Sequence, residues 1–72
     1  MVERPDLICI GCGRPPADIT EYIVSGREEN MTPDEFVWAE EGTLNPVNGH
    51  FACTRCYISM GMPSTQRGWR AP

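Results

Sequence analysis

Four side chains of this 72-residue chain can act together in metal chemistry: Cys9, Cys12, Cys53 and Cys56. They form two Cys-x-x-Cys pairs, and a tight turn of two intervening residues aims both sulfurs of a pair at one point. Four thiolates fill the tetrahedral shell of a structural Zn2+ and leave no open position for water or substrate. The expectation is therefore one zinc per chain and no catalytic residues. Disulfides or an iron tetrathiolate are the other uses of the same set. The N-terminus, Met1-Val2-Glu3-Arg4-Pro5-Asp6, lacks the apolar run of a signal peptide, and no stretch approaches the length of a membrane span. A reducing cytoplasm is the expected compartment, and there cysteine pairs favour metal. The single histidine, His50, stands three residues before Cys53. Four cysteines already satisfy zinc, so His50 is expected outside the ligand set.

The elements that position these sulfurs are short. Leu7 and Ile8 suggest an extended approach to the first pair, and Gly11 and Gly13 are expected to supply positive-φ freedom for its turn. Arg14-Pro15-Pro16 ends that knuckle. The β-branched and aromatic run Asp18–Ser25 reads as a strand closed by Gly26. Thr32-Pro33-Asp34-Glu35 carries an N-cap, a proline for the first helical position and a capping-box glutamate, which predicts a helix over 33–41 stopped at Gly42. Phe36 and Val37 fit its core face, and Trp38 falls to one side. Asn48-Gly49 marks a hairpin turn or a loop that delivers His50-Phe51-Ala52 as a short extended segment. Cys53 then opens a helix of about two turns, with Cys56, Tyr57 and Met60 on its inner face and Gly61 as its stop.

A chain this short builds only a thin core, which a metal site supplements. Structural zinc in finger-sized peptides contributes roughly 10–16 kcal/mol coupled to folding, so the metal-free chain is expected to be largely unfolded. The formal net charge is −4, and all ten acidic residues lie at or before Glu41. From Gly42 onward there is no acid, only Arg55, Arg67 and Arg70. The overall balance disfavours nucleic-acid binding, which rests on neutralising phosphates.

A knuckle, an intervening strand region and a Cys-x-x-Cys leading into a short helix resemble the treble-clef type of zinc finger. The resemblance rests on the four cysteines and the caps around them, over residues 7 to 63. It implies a small α+β metal-stapled domain with a zinc knuckle, short strands or a hairpin, and two short helices. Forty residues separate the pairs, more than the roughly 15–20 of compact motifs. The predicted helix accounts for the excess as an insertion. The run from Glu41 to Pro63, with Gly68-Trp69, also resembles small proteins encoded by tailed phages of actinobacteria, a likeness that carries no activity with it. It places the expected site of action in the host cytoplasm. HNH nucleases share the treble clef, but their catalytic histidines have no counterparts here, and Tyr57 stands where that family often has histidine. Rubredoxins also use paired Cys-x-x-Cys, but Tyr57 stands where they have glycine.

The expected organisation is a zinc-binding domain over 1–63 and a polar flexible tail over 64–72. The expected function is a non-catalytic protein-interaction module, with Trp38, Arg67, Trp69 and Arg70 as partner contacts. The alternative is nucleic-acid binding through the basic second half.

Overall fold

The structure, a computed structural model, describes residues 4–63 and 68–72. Strand β1 (Ile8–Cys9) is followed by a 3₁₀ turn (Pro16–Asp18), helices α1 (Thr20–Glu28) and α2 (Pro33–Glu40), strand β2 (His50–Phe51) and helix α3 (Thr54–Ser59). This is a small α+β domain gathered around a four-cysteine site.

The expected strand over 18–25 is helical instead. Ile19, Tyr22, Ile23 and Gly26 recur at i, i+3, i+4 and i+7, a period that outweighs the β-branched composition. Ile19, Tyr22 and Gly26 are buried, whereas Val24 on the opposite face is exposed. Gly26 ends no strand. It lies inside α1, and its carbonyl accepts the Met31 N–H at 2.7 Å as the chain turns into α2.

α2 begins as its sequence predicts. The Thr32 hydroxyl accepts the Glu35 N–H at 3.1 Å, and the Glu35 carboxylate accepts the Thr32 N–H at 2.9 Å. Hydrogen bonds to the Glu35 carboxyl from the Thr32 backbone N–H, then from the Thr32 side chain, hold it below the usual carboxylate range. The helix ends at Glu40 with Glu41 as its C-cap.

The two strands pair in parallel, Ile8 with His50 and Cys9 with Phe51. No hairpin joins them, because a parallel pair needs a long crossover and α1 and α2 supply it. The Asn48-Gly49 turn makes only a single antiparallel bridge, between Asn45 and His50.

The core is Leu7, Cys9, Ile19, Tyr22, Val37, Leu44, Phe51 and Cys53. Tyr22 is its centre. Its ring meets Phe51 edge-on at 5.4 Å and Phe36 at 6.2 Å. A buried phenol needs a partner, and Tyr22 donates to Glu41 Oε2 at 2.5 Å. Burial, then Glu41, pushes the Tyr22 phenol above its ordinary range. The other Glu41 oxygen binds the Thr43 hydroxyl at 2.9 Å, and that hydroxyl accepts the Ala52 N–H at 3.0 Å. One polar chain thus ties the end of α2 to the residue before Cys53.

Of the expected tail over 64–72, residues 64–67 lie outside the described residues, and residues 68–72 contact the domain. Ala71 is 1% exposed, and its N–H donates to the Thr43 carbonyl at 2.8 Å. Asn45 Nδ2 donates to the Ala71 carbonyl at 3.1 Å, and His50 Nδ1 lies 2.8 Å from the Pro72 carbonyl. A small apolar residue between Arg70 and Pro72 carries no period, yet the fold buries it.

Candidate metal centre

β1 delivers Cys9 in extended conformation, and the chain then turns back so that the Gly13 N–H donates to the Cys9 carbonyl at 2.8 Å. Gly13, at φ +70°, supplies the left-handed residue of this knuckle. Gly11 serves a different need from the one expected. A Cβ there would lie 2.5 Å from Cys56 Cβ and 2.6 Å from Cys56 Sγ, so its bare backbone lets the two half-sites approach.

The second pair is set by β2 and α3. Cys53 is the N-cap of α3 in extended conformation, and Cys56 lies one turn further on. Cys53 makes no side-chain cap. Glu21 of α1 takes that role, accepting the Thr54 N–H at 2.8 Å and the Thr54 hydroxyl at 2.5 Å. A carboxylate at a helix start satisfies free donors and suits the dipole. Cys56 and Tyr57 are half-buried on the inner side, and the Tyr57 hydroxyl donates to the Pro63 carbonyl after the turn at Gly61.

The four Sγ atoms lie within 4.8 Å of one another. Zinc–sulfur bonds of about 2.3 Å in a tetrahedron put sulfurs about 3.8 Å apart. The cluster therefore fits one such ion with adjustments of about an ångström or less. All four cysteines are free. Cys9 and Cys53 are buried, Cys56 is half-buried and Cys12 is exposed. Burial alone would raise the Cys9 thiol, but N–H groups of Cys12, Cys53 and Gly11 and the Cys12 thiol outweigh it, bringing Cys9 down to about 7. The Cys53 N–H contact to Cys9 Sγ is 3.4 Å. Burial, then the neighbouring Cys53 and Cys9 sulfurs, pushes Cys56 up to about 12, and burial raises Cys53 as well. One favoured thiolate beside two disfavoured ones is a cluster that a cation at their centre would relieve.

His50 stands apart from this cluster in β2. Among the described residues no other group of three or more metal-binding side chains comes together. An open cavity of about 380 Å³ beside Cys12 and Cys56 is flanked by Arg14, Arg55, Asp18 and Glu21, and so carries both signs of charge.

The expected partner contacts are scattered. Trp38 is half-buried against the core. Trp69 packs on Tyr57 at 5.7 Å, and Arg70 donates to the Leu44 carbonyl at 3.1 Å. Arg67 lies outside the described residues. Glu21 and Thr43 are the site-building residues that sequence reasoning missed, and Gly11, expected for its turn, matters for its contact with Cys56. Neither Glu21 nor Thr43 gives a local signal.

The fold and the sulfur cluster define a small α+β four-cysteine module of the zinc-binding kind. No protein-family model, curated protein or solved structure matches the chain. Among the described residues, no helix is long and apolar enough to cross a membrane.

Proposed function

We propose that the chain is a non-catalytic protein-interaction module of treble-clef type, stapled by one Zn2+ on Cys9, Cys12, Cys53 and Cys56. The carrying observation is the mutual approach of the four sulfurs to within 4.8 Å. Four protein ligands close the coordination shell, so the metal's role is structural. A knuckle on one pair and a short helix after the other support the treble-clef reading. The interaction role draws support from apolar side chains left in solvent, among them Ile58, Met62 and Val47. A host protein is the partner that the resemblance to phage proteins suggests. The nucleic-acid alternative has less support, because Arg70 is engaged with the Leu44 carbonyl.

Elemental analysis of the reduced protein tests the metal assignment. One zinc per chain is expected, with loss of the cooperative fold on chelation and weakened metal and fold on Cys→Ser at any of the four positions. A coloured protein would mark an iron tetrathiolate. A chain that stays folded without metal under reducing conditions would overturn the reading.

A further inference from the structure

Arg4 lies over α2, its guanidinium carbon 4.9 Å from the centroid of the Trp38 ring. That is within cation–π range. The two residues share a shallow depression of about 280 Å³ with Met31, Glu35 and Ala39. Glu35 stands three residues and exposed Asp34 four residues before Trp38 on α2, the spacing of helical neighbours, and Glu35 lines the depression. Glu35 caps the helix through Oε1. Trp38 is only half-buried, and Arg4 is exposed. An indole face with a methionine wall and the Glu35 carboxylate beside it is complementary to a planar cation, and Arg4 already demonstrates the fit. The segment up to Glu41 holds ten acidic residues against Arg4, Arg14 and Arg27, which favours a basic occupant over an acidic one.

We propose that the Trp38 face of α2 docks an arginine-bearing basic segment of a partner protein, and that Arg4 holds the same place in cis until the partner displaces it. This rests on the protein-interaction reading above. Arginine is preferred to lysine because a flat guanidinium stacks on the indole while its edge donates to Glu35 and Asp34. The cis contact lowers apparent affinity only modestly, since one exposed cation–π pair is a weak competitor. Its use is selectivity: a segment with one stray cation gains little over Arg4, whereas one that also meets Asp34 displaces it.

The test titrates the zinc-loaded, full-length protein with a blocked peptide of alternating glycine and arginine, following the Trp38 indole N–H by heteronuclear NMR. The same peptide with citrulline is the neutral control. Binding should shift the Trp38 signal with arginine and leave it with citrulline. Arg4→Ala should tighten binding about three-fold, the order expected for removing one exposed cation–π competitor. Glu35→Gln keeps the capping box, which accepts either residue, and should weaken binding about five-fold or more. Zinc content is measured for each variant. A protein that holds zinc but whose Trp38 signal ignores the peptide overturns this proposal and leaves the zinc module standing. Arg4→Ala with unchanged or weaker affinity also overturns it. So does a Trp38 shift produced by a single-stranded oligonucleotide instead, or self-association that depends on Arg4.

Discussion

Gly11→Ala places a methyl group where the two halves of the metal centre meet. Its Cβ would lie 2.5 Å from Cys56 Cβ, 2.6 Å from Cys56 Sγ and 3.5 Å from Met60 Cε. Carbon contacts relax near 3.5–4.0 Å, so the gap to Cys56 must open by about 1 Å. Met60 Cε is the free end of a flexible side chain and already sits at an ordinary distance. Cys56 has less freedom, because α3 fixes its backbone, Glu21 anchors the helix start and the metal would hold its sulfur. Overpacking of this kind costs about 1–3 kcal/mol. In the zinc dissociation constant that is about 5-fold to 150-fold. Competition against a chromophoric chelator, under reducing conditions at fixed pH, measures it. Gly13→Ala is the control, since Gly13 has φ +70° and nothing within 4 Å of an added Cβ. An alanine there carries about 1 kcal/mol of backbone strain but touches no sulfur. Cobalt in place of zinc separates the two effects: its visible spectrum should change in Gly11→Ala and hold in Gly13→Ala. If both variants keep the wild-type spectrum and weaken zinc equally, the close approach at Gly11 is not what shapes the site.

Three further outcomes are expected. Thr32→Ala removes the hydroxyl of a two-way capping box and should lower stability by about 1 kcal/mol in urea, with zinc content unchanged. Tyr22 is held neutral by burial and Glu41, and its raised pKa sets the sign: its contribution is full below the unfolded phenol's value of about 10 and is lost as pH rises beyond it. Stability of the wild type should therefore fall above about pH 10 more steeply than that of Tyr22→Phe, measured by denaturant titration. Removing residues 68–72 takes away buried Ala71 and leaves the Thr43 carbonyl without the Ala71 N–H. The truncated protein should unfold at lower denaturant while still binding zinc, and an unchanged midpoint would show these contacts contribute nothing.

The features legible in the sequence are those that neighbours in sequence determine. The Cys-x-x-Cys spacing, the Thr32–Glu35 box and the stop at Gly61 each act within a few residues, and the fold keeps each of them in place. The run at 18–25 reads as a strand only when β-branched content is weighed above the i, i+3, i+4, i+7 recurrence of Ile19, Tyr22, Ile23 and Gly26. Tertiary burial of that face against Phe51 and Val37 favours the helix. The remainder is non-local. Glu21 reaches Thr54 across 33 positions, and Asn45 reaches Ala71 across 26. Neither pairing leaves a mark in the local pattern. Gly11 reads as a turn glycine, but the reason it must lack a side chain lies in Cys56, which becomes its neighbour only in the folded chain.

The parallel register of β1 and β2 also fixes the order in which this chain can assemble. Cys9 pairs with Phe51 and shares its cluster with Cys53, so sheet, core and metal centre all close the same loop. Closing a loop of this length costs about 3 kcal/mol beyond a constant, and no local element offsets it in advance. α1 and α2 can flicker into being while the chain is open, whereas the two half-sites meet only once. Contacts this distant in sequence slow folding. Either cysteine pair can hold zinc loosely before closure, so the folding rate should rise with free zinc until one pair is saturated and then depend on the closure alone.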